Sequence, residues 1–222
     1  MEKRITFITR EEAMRIELDN YIKVLKEKTT IEPKVLFEAG SKTGDDAEFL
    51  AKQLGVPDSG VYVCEPHSEF YKKILEKYPQ HTVMNIALFN EEGELEFNEA
   101  NNLDDGRSSL MGRDIYQKDF SIIKVKAKRM DNLMEELGLE TVDVFKLDVE
   151  GASYEVLESF GERIDDLKSI QIEAEYDEVW ENQKTWGAIV DFMMTNDFVL
   201  LWEHNIINIQ IDSVWVKKEF IK

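Results

Sequence analysis

Residues 35–44, VLFEAGSKTG, decide the fold of this chain, because a short run of strand-forming residues leads directly into a turn with two glycines. The pattern predicts a buried strand that is followed by a helix. A second apolar run at residues 60–65 ends in a carboxylate, Glu65, 21 residues after Gly44. This order of strand, glycine turn, helix and acid-tipped strand is the way in which an α/β sheet builds a nucleotide site.

The two glycines and the acid of this unit are candidate ligand contacts. Gly40 and Gly44 lack a Cβ atom, so the turn can adopt positive φ angles and let a ligand lie close to the backbone where the helix begins. Glu65 stands where a carboxylate can accept hydrogen bonds from both ribose hydroxyls, and an acid there favours a ribose without a 2′-phosphate. The alternative is an ordinary strand-to-helix turn with a solvated glutamate, since Gly-x-x-x-Gly alone is a weak signal.

Composition and charge narrow the classes of function. With 222 residues and 43% hydrophobic content, the chain is expected to form one domain with a sizeable core. A formal net charge of -19 repels phosphate polymers and anionic lipids, so we expect no nucleic-acid or membrane partner. The apolar runs are far shorter than the roughly 20 residues that cross a bilayer. Residues 1–4 lead into no signal-like segment, which predicts a cytoplasmic protein.

Cysteine and histidine usage gives no sign of a metal or a disulfide. The single cysteine, Cys64, has no internal partner and lies in a predicted buried strand, where it would act as a small core hydrophobe. The three histidines, His67, His81 and His204, show no metal-ligand spacing. We therefore expect no metal, and the sequence carries no signal for an oligomeric state.

The N-terminal segment is predicted to be an amphipathic helix. Apolar residues at Leu18, Tyr21 and Leu25 follow helical spacing between residues 11 and 28. We therefore divide the chain into an N-terminal helix with its linker, residues 1–32, and a main domain, residues 33–222. The helix is expected to pack against the main domain; a substrate lid or a dimer contact is the alternative.

Beyond Pro33 the pattern alternates between strands and helices, which predicts an α/β fold. Predicted strands lie at residues 35–38, 60–65, 82–88, 142–148, 169–175, 198–202 and 206–216, and predicted helices at residues 43–54, 68–77, 131–137, 152–160 and 184–195. The short turn at residues 204–205 cannot hold a parallel crossover, so the last strand should run antiparallel. We expect a mostly parallel seven-stranded sheet with helices on both faces. Extended pieces at residues 95–98 and 122–127, around the polar loop 101–109, should form an antiparallel ribbon beside the cleft.

Residues 146–151, KLDVEG, form a second segment that contains candidate catalytic residues. Strand alternation places Lys146, Asp148 and Glu150 on one side as the strand leaves the sheet. Ligands of open α/β sheets bind at the carboxyl ends of the strands, near the switch in strand order, so these acids should border the same cleft as Gly40 and Glu65. Two acids that lie close to a lysine are candidates for a proton acceptor and for a ligand anchor whose negative charge the lysine compensates.

With these segments the chain resembles the FkbM-like family of S-adenosylmethionine-dependent methyltransferases. Members of that family carry Asp-x-Gly-Ala-Asn-x-Gly, then Glu-Pro after the second strand, then Lys-x-Asp-x-Glu-Gly. The corresponding segments here are residues 38–44 (EAGSKTG), 65–66 (EP) and 146–151 (KLDVEG). Weaker similarities lie at residues 85–88, 108–110, 129–133, 196–198 and 212–216, so the resemblance spans about residues 33–216.

The resemblance implies a Rossmann-like class I methyltransferase fold and O-methyl transfer from S-adenosyl-L-methionine to a hydroxyl of a small molecule or sugar. It implies Glu38 for the amino group of the cofactor, Glu65 for the ribose, and Asn85 or Ala87 near the adenine. The full set expected to bind the cofactor is Glu38, Gly40, Ser41, Lys42, Gly44, Glu65, Asn85, Ala87 and Asp148. Asp148 is the first candidate for the proton acceptor and Glu150 the second. Candidate substrate contacts are Arg107, Ser109 and Glu173.

Two residues depart from the family pattern. Glu38 replaces an aspartate, and the longer acid could bind the amino group directly or through water. Lys42 replaces an asparagine at the centre of the turn. Its cation could pair with the carboxylate of the cofactor, or it could be a surface lysine on an altered loop, in which case the cofactor would bind weakly.

Rival interpretations remain open from the sequence. Asp148 could order the loop and Glu150 could cap the following helix. Asp148 and Glu173 could hold a magnesium ion, although no metal is expected. The altered turn also fits a non-catalytic binding module. An NAD-dependent oxidoreductase fits less well, because the turn lacks the third glycine spacing and a Tyr-x-x-x-Lys pair is missing.

Overall fold

The computed structural model describes residues 10–102, 107–112, 119–206 and 209–222, with side chains from residue 16 onward. Its largest element is a seven-stranded sheet. The strands are β1 (Leu36–Ala39), β2 (Val61–Cys64), β3 (Thr82–Met84), β7 (Val144–Leu147), β8 (Ser169–Glu175), β9 (Phe198–Ile206) and β10 (Gln210–Lys217), with β4 to β6 forming a second sheet. The order is β3-β2-β1-β7-β8-β10-β9.

Strand directions agree with the prediction. Strands β3, β2, β1, β7 and β8 pair in parallel, while β10 pairs antiparallel with both β8 and β9. The mostly parallel sheet with an antiparallel last strand is therefore confirmed. The cause is the short β9–β10 connection, which can only join antiparallel neighbours.

The second sheet contains three strands, β4 (Ala87–Leu88), β5 (Gly93–Ala100) and β6 (Phe120–Lys128), in the order β4-β6-β5. Strands β5 and β6 form the predicted antiparallel ribbon. The prediction of one strand at residues 82–88 was wrong, because this run is divided between the two sheets. The break falls at Asn85, whose side chain bonds the chain after β2 instead of extending the strand. Residues 103–106 of the predicted polar loop lie outside the described part of the chain.

Six helices cover the two faces of the main sheet in the described part of the chain: α1 (Arg10–Lys28), α2 (Asp45–Leu54), α3 (Ser68–Lys77), α4 (Met130–Glu136), α5 (Ser153–Glu158) and α6 (Trp186–Thr195). One core joins α1, α2 and α3 to the face that carries Leu36 and Val144. The other joins α4, α5 and α6 to the face that carries Phe37 and Phe145. Successive residues of a strand therefore contribute to opposite cores, because the side chains of a β-strand alternate between the two faces of the sheet.

Helix α1 packs directly on the sheet. Leu18 and Leu25 are buried, and each fully buried side chain of this size stabilises the fold by roughly 1.5–3 kcal/mol. The hydroxyl of Tyr21 lies 2.9 Å from Ser169 Oγ and 3.3 Å from the carbonyl oxygen of Phe145. Residues 1–9 lie outside the described part. Among the described helices, none is long and apolar enough to cross a membrane.

Candidate active site

The cleft lies at the carboxyl edge of the sheet, between the ends of β1 and β7. The chain continues from β1 to β2 on one side and from β7 to β8 on the other, so this is the switch point of the strand order. The cleft has a volume of about 890 Å³, within the range of roughly 300–1,000 Å³ for ligand sites. Its charged lining residues are mostly acids: Glu17, Asp46, Glu65, Asp148, Glu150, Glu173 and Glu175, against Lys42, Arg107 and Lys146.

Gly40 brings the two strand ends together. It has a φ of 77°, and a Cβ atom there would lie 1.7 Å from the carbonyl oxygen of Asp148. Gly40 lines the cleft. Gly44, with a φ of 73°, instead faces α3, where a Cβ would lie 2.9 Å from Ile74. Both glycines are thus required by the protein's own packing, and of the two Gly40 is the one at the cleft.

Glu65 ties the second strand to the glycine turn. Its carboxylate accepts the backbone N–H of Lys42 at 2.8 Å and that of His67 at 2.8 Å. Burial raises the pKa of Glu65 to about 7, although the N–H groups of His67, Lys42 and Ser41 lower it. A carboxylate has about four acceptor positions, so at least one remains for a hydroxyl donor in the cleft.

Lys42 is held in an unusual backbone conformation. Its φ is 52°, in the left-handed region where asparagine is several-fold enriched among non-glycine residues. The residue lines the cleft and is half-buried.

Asn85 and Ala87 occupy different places. The Asn85 side chain donates to the carbonyl oxygens of Glu65 and Pro66, both at 2.9 Å, and so fixes the turn that carries Glu65. Ala87 lines the cleft together with its neighbours Ile86 and Leu88. These three apolar residues form a wall beside Glu65.

Glu38 lies behind the cleft surface. It is 1% exposed, accepts a hydrogen bond from Ser41 Oγ, and lies 3.9 Å from Lys146 Nζ. Burial raises the pKa of Glu38 to about 8, and the ammonium of Lys146 opposes that rise. Ser41 and Lys146, which both line the cleft, therefore stand between Glu38 and a ligand.

Lys146 is the charge centre of the site. Its Nζ lies 3.2 Å from Asp46 and 3.3 Å from Asp148. Burial alone would lower the pKa of Lys146, but the carboxylates of Asp148, Asp46 and Glu38 hold it well above its ordinary value. Asp46 was missed by the sequence analysis, although its place in the first turn after Gly44 is a usable signal.

Asp148, Glu150 and Glu173 converge at the cleft. One oxygen of each carboxylate lies within 4.8 Å of the others. Strand β7 ends at Leu147, and Glu150 is brought back to this group by a φ of 51°. Burial raises the pKa of Glu173 well above its ordinary value, and the neighbouring Asp148 and Glu150 raise it further.

The ribbon contributes Arg107 but not Ser109 to the cleft lining. Ser109 is buried, and its hydroxyl donates to the carbonyl oxygen of Glu150 at 2.5 Å and accepts the N–H of Met111 at 2.9 Å. Ser109 therefore fastens the ribbon to the loop after β7. Trp180 also lines the cleft and packs on Gly151, where a Cβ would lie 2.4 Å from the indole ring.

Helix α1 supplies an acid that the sequence analysis did not identify. Glu17 lines the cleft, and it forms a hydrogen bond with Asp212 of β10. Burial, together with the charge of Glu17, raises the pKa of Asp212 to about 9. A signal was present, since Glu17 precedes the core residue Tyr21 by four positions and so shares its face of the helix.

Known proteins are similar to this chain in sequence or in fold. Residues 38–200 match the family model of the methyltransferase FkbM domain. A 2-O-methyltransferase, NoeI, of Sinorhizobium fredii (strain NBRC 101917 / NGR234) is 23% identical over 180 residues, 74% of this chain and 73% of that protein. The crystal structure of methyltransferase FkbM from Methylobacillus flagellatus KT superposes with a TM-score of 0.54 and 10% identity, covering 82% of this chain and 44% of that one.

The structural neighbour supports the Rossmann-like fold, and the family match covers well over half of the chain and includes the glycine turn, Glu65 and the acids after β7. Family membership also decides between the rival enzyme classes, because it implies S-adenosylmethionine and not NAD. The chain therefore belongs to the FkbM family and is an S-adenosylmethionine-dependent methyltransferase.

Proposed function

We propose that this methyltransferase transfers the methyl group of S-adenosyl-L-methionine to a hydroxyl oxygen of a small molecule or sugar. The observation that carries the proposal is the carboxylate of Asp148, which lines the cleft at the switch point and is paired with Lys146 at 3.3 Å. A fixed carboxylate beside the cofactor site can accept the proton that a hydroxyl loses on methylation. The name of the NoeI relative, a 2-O-methyltransferase, supports an oxygen acceptor.

The residues around the cleft fit the cofactor. Glu65 is buried, lines the cleft and keeps acceptor capacity, which suits the ribose hydroxyls. The wall formed by Ile86, Ala87 and Leu88 suits the adenine, while Asn85 supports Glu65 from behind. The turn from Gly40 to Lys42 suits the methionine end. There the Ser41 hydroxyl, which donates to Glu38, would accept a hydrogen bond from the amino group, and Lys42 would pair with the carboxylate.

The cofactor supplies a methyl group on a sulfonium, which is already a good leaving group. The work left to the protein is to hold the acceptor oxygen in line and to remove its proton. Asp148 would accept that proton, and Lys146 would keep its carboxylate in place. Burial raises the pKa of Glu173 well above its ordinary value, which favours the protonated form that can donate a hydrogen bond to the acceptor. Glu150 is the second candidate base. Arg107 would contact the acceptor from the ribbon side of the cleft, while Ser109 would only hold the loop that carries Glu150.

Calorimetry tests the cofactor part of this proposal. We expect S-adenosylhomocysteine to bind the protein and NAD not to bind. Glu65→Gln should weaken S-adenosylhomocysteine by about tenfold, because an amide offers one acceptor oxygen where the carboxylate offers two. Binding of neither compound, or of NAD alone, would contradict the assignment of this cleft as the cofactor site.

Product analysis tests the acceptor. The protein is incubated with S-adenosylmethionine carrying a ¹³C-labelled methyl group and with a panel of sugars, polyols and phenols, amines and thiols. We expect the label to appear at the carbon chemical shift of a methyl ether. Label found only as an N-methyl or S-methyl product would contradict hydroxyl transfer while leaving the cofactor assignment intact.

A further inference from the structure

A second group of ligand atoms lies between α1 and the β9–β10 hairpin. His204 and Asp212 are directly opposite each other in the antiparallel register, so their side chains share one face. Glu17 of α1 lies over that face. One carboxylate oxygen of Glu17, one of Asp212 and one imidazole nitrogen of His204 lie within 4.8 Å of one another. Because 187 residues separate Glu17 from His204, no local spacing in the sequence reveals this group.

Two polar atoms of the group are buried without a hydrogen-bond partner among the described residues, Asp212 Oδ2 and His204 Nδ1. Asp212 as a whole is only 2% exposed, so solvent does not compensate it. Buried polar atoms in native proteins almost always have a partner, and each exception calls for an explanation. A bound cation would supply the missing interaction, because carboxylate oxygens and imidazole nitrogens are both metal ligands.

We propose that Glu17, His204 and Asp212 bind one divalent transition metal ion that fastens helix α1 to the last hairpin. Two carboxylates with one imidazole form a mixed oxygen and nitrogen set, which suits Mn²⁺ or Zn²⁺ better than Mg²⁺ or Ca²⁺. Ligand atoms at about 2.1 Å from one ion lie at most about 4.2 Å apart, so the three side chains need to move by only a fraction of an ångström.

Two other groups of possible ligands in the described residues fit a metal less well. Asp148, Glu150 and Glu173 are half-buried and open to the cleft, where the acceptor is expected. In the group of Glu48, Asp58 and His81, Asp58 is exposed. Both ring nitrogens of the buried His81 lack a hydrogen-bond partner in the described chain, but Nε2 faces the carboxylate of Glu48 at 3.1 Å. Of the three groups in the described chain, the one at Glu17 contains a buried carboxylate, that of Asp212, with an oxygen that has no hydrogen-bond partner.

An ion bound at Glu17 would also act on the cleft. Glu17 is both a ligand of the proposed site and a lining residue of the cleft. The ion would therefore fix the wall that α1 contributes, independently of which acceptor the enzyme uses.

Metal binding can be measured on the intact protein after treatment with EDTA and dialysis. Titration with MnCl₂ in a calorimeter should show one bound ion, and saturating Mn²⁺ should raise the melting temperature, because the ion binds the folded chain. Asp212→Asn and His204→Gln should each weaken Mn²⁺ by more than about tenfold and remove the thermal shift. Glu203→Gln, an exposed neighbour on β9, is the matched control and should bind Mn²⁺ normally.

Each other result overturns the proposal. If the protein binds no Mn²⁺ and no Zn²⁺, this group is not a metal site. If binding survives Asp212→Asn but is lost in Glu150→Gln or His81→Gln, the ion occupies one of the other groups. A variant that fails to fold is replaced by Glu17→Gln, which changes a half-buried side chain and should also abolish the thermal shift.

Discussion

Asp148 is the residue on which the proposed chemistry depends. It lines the cleft and pairs with Lys146. Asp148→Asn keeps the shape of the side chain and removes its capacity to accept a proton. We expect kcat to fall by about 10²–10⁴-fold, the usual contribution of a general base, with the Kd of S-adenosylhomocysteine changing less than about threefold.

Steady-state kinetics and calorimetry on the same preparation check this prediction. Asp177→Asn is the control, since Asp177 is an exposed acid shortly after β8. Unchanged turnover in Asp148→Asn would remove this residue from its proposed role and leave Glu150 as the candidate.

Gly40 offers a second test at the scale of one residue. Gly40→Ala places a methyl group 1.7 Å from the carbonyl oxygen of Asp148, so the ends of β1 and β7 must separate. Gly55 has a similar φ of 75°, but a Cβ atom there would meet nothing within 4 Å, so Gly55→Ala carries only the cost of the left-handed backbone, about 1–2 kcal/mol. We expect Gly40→Ala to lose at least about 2 kcal/mol more than Gly55→Ala in urea unfolding. Equal losses would show that the strand ends tolerate separation.

Cleft residues at strand ends were predictable from the sequence, and residues whose position depends on tertiary packing were not. Gly40 follows from the turn after the first strand, Glu65 from the acid at the end of the second, and Asp148 from strand alternation with the rule that ligands bind at the carboxyl edge. Trp180 reaches the cleft through a loop whose path depends on its packing on Gly151. The resemblance implied that Glu38 binds the amino group of the cofactor, directly or through water; the structure buries Glu38 beside Ser41 and Lys146, an arrangement that depends on packing.

At the scale of elements, the types were predicted better than the boundaries. The helix expected from residue 43 begins at Asp45, because Lys42 and Gly44 have positive φ angles. The strand expected to reach Asp148 ends at Leu147, where the chain turns into the loop of the site. In both cases the backbone conformation at the end of a strand, and not the local propensity, sets the boundary.

Helix α1 could be part of the folded core or a lid over the cleft, and one substitution distinguishes these two roles. Tyr21→Phe removes the hydroxyl that joins α1 to Ser169 and Phe145. If α1 belongs to the fold, the free energy of unfolding should fall by about 1–2 kcal/mol, with the KM values unchanged. Urea unfolding and kinetics check this, with Lys23→Ala on the exposed face as control. Unchanged stability with a raised acceptor KM would favour the lid.

At the scale of the whole molecule, buried acids and net charge decide how stability depends on pH. Burial raises the pKa of Glu38 to about 8 and that of Glu65 to about 7, from an ordinary value of 4.5. A carboxyl whose pKa rises on folding stabilises the folded chain below its ordinary pKa, and that contribution is lost as the pH rises through the folded value. The net charge of -19 acts in the same direction, because repulsion between acids grows as they ionise.

We therefore expect the free energy of unfolding to decrease between about pH 5 and pH 8, with each of the two buried acids contributing up to about 2–3 kcal/mol. Burial would raise the pKa of Asp143, but Lys168 and the N–H groups of Lys34 and Val35 hold it below 3.8, so its stabilising effect is lost only under more acidic conditions. Urea unfolding across this range measures the slope. Glu38→Gln should flatten it and Asp177→Asn should not; a wild-type stability that is constant or rises with pH would show that Glu38 and Glu65 are ionised at little cost.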